Sequence, residues 1–83
     1  MTSKGEESLS DDFGRRIRAA RVYGEFPQIE FARKLGISVA TLVRYEKGQR
    51  KVPALTRPGL AAKVEELTGI DEGFVSRGVK RDV

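Results

Sequence analysis

The chain has 83 residues, 39% of them hydrophobic, and 16 Lys/Arg against 12 Asp/Glu give it a formal net charge of +4. It contains no cysteine and no histidine, which excludes disulfides, thiolate metal sites and Ser-His-Asp or Cys-His catalysis. No convergent carboxylates, phosphate-binding loop or metal-ligand spacing stand out, so we expect no enzyme, no metal and no cofactor. With no long apolar run and no apolar signal region, one small cytoplasmic domain without a membrane partner is predicted.

The amino-terminal part combines a polar segment with a first amphipathic helix. Residues 1–9, MTSKGEESL, are polar and are predicted to be flexible. Ser10 or Asp11 can cap a helix over about residues 11–22, and Gly24 is expected to break it. The apolar residues of this helix recur at spacings of four and three and predict a buried face: Phe13, Ile17 and Ala20.

A second helix is predicted over residues 28–35, directly after Pro27. Phe26 is a lone apolar residue in the preceding connection and is expected to reach the core. Gly36 stops the helix, because a left-handed residue costs least at a glycine. The inner side of the helix consists of Phe31, Ala32 and Leu35.

A third helix is predicted over residues 39–47, capped by Ser38 and ended by Gly48. It carries two different stripes. The inner stripe is apolar and is expected to seat the helix on the domain: Ile37, Leu42 and Tyr45. The opposite stripe mixes small apolar groups with two cations, which is unusual for a face in water: Val39, Ala40, Val43, Arg44 and Lys47.

The carboxyl-terminal part predicts a fourth and a short fifth helix. Pro58 suits the first turn of a helix that runs to about Thr68. Its apolar face consists of Leu60, Ala61, Val64 and Leu67. Asp71 can cap the last helix, and residues 78–83 form a polar tail. Because no strand pattern of useful length occurs, the fold class is predicted to be all-α, with four or five short helices in a domain over residues 10–77.

The positive charge is concentrated in the middle of the chain. Residues 13–58 hold eleven Lys/Arg against three acids, a net of +8, whereas residues 1–12 carry −3 and residues 59–83 carry −1. A basic block on a folded domain favours a polyanionic partner, although a solvated surface is the ordinary alternative.

The second and third helices with the turn at Gly36 form a helix-turn-helix pattern, and a wider set of residues is similar to a known family. The segments that carry the similarity are FGRRIRAAR (13–21), QIEFARKLGIS (28–38) and TLVRYEKG (41–48). Over residues 13–70 the chain resembles the Cro/Xre-type helix-turn-helix family, which includes the lambdoid phage repressors and Cro proteins. The resemblance implies a compact lambda-repressor-like domain that binds double-stranded DNA.

The resemblance also implies roles for individual residues. The expected contacts to base edges come from Val39, Ala40, Thr41 and Arg44. The expected contacts to DNA phosphates come from Gln28, Ser38, Lys47, Arg50 and Lys51. Arg21 and Glu46 match an internal ion pair and are expected to be structural. An arginine can bond guanine O6 and N7 together, whereas valine and alanine can only pack against thymine methyls.

Three features depart from the family pattern. Pro27 stands where a side-chain cap is usual, and Val39 and Ala40 replace the polar residues often found at the tip of the recognition helix. Pro58-Gly59 is expected to interrupt the region of the usual fourth helix. Because Val39 and Ala40 differ from the family pattern, the resemblance does not predict the operator sequence. It still predicts that the partner is DNA.

The leading hypothesis is a sequence-specific transcription regulator, of the repressor or Cro type, from a phage or bacterium. A homodimer would pair through apolar residues near the carboxyl end, which can equally complete the monomer core: Leu67, Ile70, Phe74 and Val75. Two alternatives remain, the antitoxin of a toxin–antitoxin pair and a helix-turn-helix protein-interaction module that does not bind DNA.

Overall fold

The computed structural model describes residues 12–77, which form five α-helices and contain no strand. The all-α prediction is therefore confirmed for this part of the chain. The polar segment 1–9, the capping residues Ser10 and Asp11, and the tail 78–83 lie outside the described residues. The helices are α1 (Asp12–Tyr23), α2 (Gln28–Leu35), α3 (Val39–Glu46), α4 (Arg57–Thr68) and α5 (Glu72–Arg77).

Two helix boundaries differ from the prediction. Helix α3 ends at Glu46, and Lys47 follows as its carboxyl-terminal cap with its N–H bonded to the carbonyl of Val43 at 3.0 Å. Helix α4 begins at Arg57 and runs to Thr68, which confirms the prediction that Pro58 lies in its first turn; the helix continues through Gly59, so Pro58-Gly59 does not interrupt it. Proline lies in the first turn, where its missing N–H would have no partner within the helix.

One apolar core joins all five helices, and α1 lies against most of the others. Helix α1 contacts α3, α4 and α5, while α2 packs against α3 and α4. The predicted inner faces of the helices lie in this core. The largest side chains that are fully buried are Phe13, Ile17, Phe31, Leu42, Val64 and Val75.

Val52 anchors the loop between α3 and α4 to the core, although it stands in a polar, proline-containing segment. Its side chain is buried, and its carbonyl accepts a hydrogen bond from Nε of Arg57 at 2.9 Å. The guanidinium of Arg57 also lies 5.2 Å from the ring centre of Phe13, a cation–π distance. The loop is thereby tied to α1 and α4.

Gly14 is required by the close approach of α1 to α3. A Cβ at this position would lie 1.8 Å from the carbonyl oxygen of Tyr45, which is far inside van der Waals contact. The contact is with backbone, so no side-chain rotation can relieve it. The glycine therefore sets the distance at which α3 rests on α1.

Helix α1 ends at Tyr23, directly before Gly24, so the expectation that the helix breaks there is confirmed. The left-handed residue is Glu25, with φ of 60°, while the N–H groups of Glu25 and Phe26 bond the carbonyls of Val22 and Arg21. This is the Schellman arrangement, with glutamate where glycine is usual. Gly24 also packs closely, since a Cβ there would lie 3.1–3.2 Å from side-chain atoms of Phe26 and Thr68, which would have to shift by a few tenths of an ångström.

We predict that Gly14→Ala lowers the free energy of unfolding by about 1–3 kcal/mol, because the added methyl must push α1 away from the backbone of α3. Gly59→Ala is the matched control, since the space around Gly59 is open and the residue lies in α4. The control should be neutral or stabilising by about 0.5 kcal/mol. Urea denaturation measures both, and equal effects of the two changes would contradict the role given to Gly14.

We predict that Glu25→Gly stabilises the domain by about 0.5–1 kcal/mol, because glycine adopts the left-handed conformation without the Cβ clash that glutamate bears. Glu25→Ala is the control, since it removes the same charge and keeps the clash. Thermal unfolding should show a higher midpoint for the glycine variant only. A rise of equal size in both would attribute the effect to charge.

Candidate nucleic-acid interface

The turn between α2 and α3 is built from three consecutive residues with different tasks. Gly36 has φ of 81°, a left-handed conformation that favours glycine, and its N–H and that of Ile37 bond the last carbonyls of α2. Ile37 is half-buried against the core. Ser38 caps α3, because its Oγ accepts from the N–H of Thr41 at 3.0 Å. The turn therefore fixes where α3 starts and how it leaves α2.

Helix α3 has one buried and one exposed face. Leu42 and Tyr45 are buried, and they seat the helix on the core. On the opposite side Val39 is 39% exposed, although it is a large apolar residue. Ala40, Arg44 and the capping Lys47 are exposed as well, and Thr41 and Val43 are half-buried at the edges of this face. The stripe predicted to be unusual therefore faces away from the domain.

The end of α3 and the loop after it carry several exposed cations and no exposed carboxylate. Arg44, Lys47, Arg50 and Lys51 lie within eight residues, and all four are exposed. Within residues 31–64 the sequence has one acid, Glu46, and its side chain is only 2% exposed. Arg33 and Lys34, in the last turn of α2, are also exposed. Such a positively charged surface favours the binding of a polyanion.

Three of the eleven cations in residues 13–58 have structural partners and are not fully exposed: Arg16, Arg21 and Arg57. Arg16 donates from Nε to the carbonyl of Val75 at 2.8 Å and so holds α5 against α1. Burial lowers the pKa of Arg16, an effect opposed by Asp12 and reinforced by Arg57. The positive charge that is available to a binding partner is therefore smaller than the eleven cations of residues 13–58 suggest.

A buried polar network joins α1, α2 and α3 through the carboxylate of Glu46. Arg21 donates to both of its oxygens, from Nε at 2.8 Å and from Nη2 at 3.1 Å, and its own side chain is 13% exposed. Nη1 of the same arginine bonds the carbonyl of Phe26 at 2.9 Å. Gln28 completes the network with a hydrogen bond from Nε2 to Oε1 of Glu46 at 3.0 Å.

Two residues that the sequence assigns to phosphate contacts already have intramolecular partners. Gln28 bonds Glu46, a role that the resemblance did not suggest. The available signal was chemical, because a buried carboxylate has more acceptor sites than one arginine fills. The hydroxyl of Ser38 caps α3 and also donates to Oγ1 of Thr41 at 2.9 Å. Lys47, Arg50 and Lys51, the other three assigned residues, are exposed and carry their charge outward.

The residues proposed for a homodimer are not equivalent. Val75 is fully buried in the core of the single chain, so its assignment to a dimer surface is corrected. The carbonyl of this residue is bonded by Arg16, which fixes α5 further. Leu67 and Ile70 pack partly buried against the core, and Phe74 is half-buried. The alternative that this segment completes the monomer core therefore holds for Val75.

Other kinds of site find no support in residues 12–77. No group of three or more potential metal ligands occurs there. Over the same range, every helix is too short or too polar to cross a membrane. The exposed face of α3 and the cations beside it suit a polyanionic partner.

We predict that Glu46→Gln lowers the free energy of unfolding by about 3 kcal/mol, because it leaves the mostly buried charge of Arg21 without its counterion. Glu66→Gln, the same change at an exposed position of α4, is the control and should alter stability by less than about 0.5 kcal/mol. Urea denaturation distinguishes the two. A loss below about 1 kcal/mol for Glu46→Gln would put the pair in the range of an exposed salt bridge.

Comparison with known proteins agrees with this geometry. A family model described as helix-turn-helix matches residues 17–75, which include most of α1, all of α2, α3 and α4, and part of α5. No curated protein and no solved structure gives a significant match to the chain. The family match covers more than half of the chain and confirms the resemblance seen in the sequence. The protein therefore belongs to the Cro/Xre-type helix-turn-helix family of DNA-binding regulators.

Proposed function

We propose that this protein is a sequence-specific repressor that binds duplex DNA with α3 in the major groove. The observation that carries the proposal is the outer face of α3, which is exposed, partly apolar and bordered by cations, with no exposed carboxylate within residues 31–64. A helix of eight residues is about 12 Å long, and the major groove of B-DNA is about 12 Å wide. Such a helix can enter the groove over most of its length.

The base-reading group consists of four residues along this face: Val39, Ala40, Thr41 and Arg44. Arg44 is exposed in the last turn of α3 and can donate two hydrogen bonds to guanine O6 and N7. Thr41 lies at the edge of the face, where its hydroxyl accepts from Ser38 and keeps its own proton for a base or a phosphate. The specific part of the free energy of binding comes from these contacts.

The phosphate-binding group surrounds the groove on both sides: Gln28, Ser38, Lys47, Arg50 and Lys51. Gln28 can take part without breaking the buried network, because an amide nitrogen has two protons and Glu46 accepts only one. Ser38 would have to exchange its bond to Thr41 for a phosphate oxygen. The three cations supply the sequence-independent part of the affinity, which falls as salt rises because bound counterions are released.

The proposal includes a two-fold dimer on the operator, with half-sites about one helical turn apart. Leu67, Ile70 and Phe74 are the residues of the predicted dimer surface that keep partial exposure. Two copies of α3 would then enter successive major grooves on one face of the duplex. A cytoplasmic phage or bacterial regulator that blocks a promoter is the function that we infer from this arrangement.

We predict that the protein binds duplex DNA selected from a random pool, and that two substitutions affect binding differently. Arg44→Ala should lose about 1–3 kcal/mol at one base pair and relax discrimination there. Lys51→Ala should weaken all sequences alike and reduce the slope of log K against log salt by about 1. Fluorescence anisotropy titrations between low and moderate salt, on the selected site and on single-base variants of it, measure both effects.

The outcomes of these titrations test the division of contacts and DNA binding separately. A uniform loss in both variants would contradict the division between base and phosphate contacts. Absence of duplex binding even at low salt would overturn the function itself and favour a protein-interaction module. An antitoxin would bind the same DNA and would in addition bind a toxin protein.

A further inference from the structure

The first turn of α3 carries two aliphatic side chains on its exposed face. Val39 is 39% exposed and Ala40 is exposed, and neither side chain can form a hydrogen bond. The two hydroxyls nearby, those of Ser38 and Thr41, bond each other at 2.9 Å. The carboxyl half of the same face is different, since it carries the cations Arg44 and Lys47.

The edges of base pairs in the major groove offer few features that suit such a surface. Guanine, adenine and cytosine present hydrogen-bond donors and acceptors, which lose water without compensation when an aliphatic group covers them. The C5-methyl group of a pyrimidine is the apolar feature in that groove. Burying a methyl group against valine or alanine is favourable because it removes apolar area from water.

We propose that Val39 and Ala40 recognise the 5-methyl group of a pyrimidine, near the guanine that Arg44 reads. This inference rests on the proposed function, because it assigns part of the sequence specificity to the same helix. Val39 and Arg44 are five residues apart, which is about 7.5 Å along a helix. That distance corresponds to about two base pairs of duplex, so the methyl group and the guanine belong to one half-site.

The same chemical group has two sources in DNA. Thymine carries it in every duplex, and 5-methylcytosine carries it where cytosine has been methylated. Because the contact is made to the methyl group, both sources should bind better than the base that lacks it. Thymine pairs with adenine, whereas 5-methylcytosine pairs with guanine. Duplexes that contain one or the other therefore separate the two sources.

The test starts from duplexes selected for binding and replaces each thymine in turn by deoxyuridine, which removes only the methyl group. At one or two positions of each half-site we expect the Kd to rise about fourfold, the effect of exposing one methyl. In a second set of duplexes, cytosine or 5-methylcytosine is placed at the same positions. The methylated base should bind about fourfold better than cytosine if the site accepts either source.

Two protein variants connect the effect to α3. In the wild type, the ratio of the Kd for the deoxyuridine duplex to the Kd for the thymine duplex should be about four. Val39→Ala should reduce this ratio to below two at one of these positions, since the variant offers less apolar surface. Val22→Ala is the matched control: Val22 is 53% exposed at the far end of α1 and has no part in the proposed DNA surface. The ratio should stay near fourfold in the control.

The results separate this inference from the function on which it rests. If deoxyuridine leaves the Kd unchanged at every position while the wild type still binds and Arg44→Ala still loses discrimination, methyl recognition is wrong and DNA binding stands. A ratio that survives Val39→Ala unchanged at every position would also overturn the assignment to Val39. If no duplex binds at any salt concentration, the failure is that of the proposed function.

Discussion

Arg21, Gln28 and Glu46 come from three different helices and meet through three hydrogen bonds around one carboxylate that is almost excluded from water. A buried charge is costly unless its partners are in place, so the three helices are held where every bond can form. Apolar packing is not directional, whereas hydrogen bonds are. The network therefore fixes the orientation of α3, and with it the direction of the exposed face.

The burial of Glu46 also changes the electrostatics of the surface. This residue is the one acid within residues 31–64, and its charge faces Arg21 inside the domain. The exposed ionic groups of α3 and the loop after it are consequently all positive. One residue thus contributes to the position of the helix and to the sign of the potential around it, and the two effects favour the same partner.

Local signals in the sequence were sufficient for most of the fold. Apolar spacing and capping residues predicted four or five helices, and Ser38 and Gly36 marked the start of α3 and the end of α2 as observed. What the sequence did not reveal depends on distances between segments. The approach of Gly14 to the backbone of Tyr45 and the burial of Val52 are tertiary facts with no local pattern.

Some features of the candidate site were also predictable from the sequence, whereas others depend on distances between segments. Exposure of Arg44 and Lys47 follows from helical periodicity, and the pairing of Arg21 with Glu46 was expected from family resemblance. The bond from Gln28 to Glu46 was missed because it depends on where α2 begins relative to α3.

The burial of Val52 holds the loop between α3 and α4 in place next to Lys51. Lys51 adjoins a residue that is already fixed, so the phosphate contact proposed for Lys51 would immobilise its side chain without the loss of backbone entropy, about 1–2 kcal/mol, that a residue in a free loop would bear.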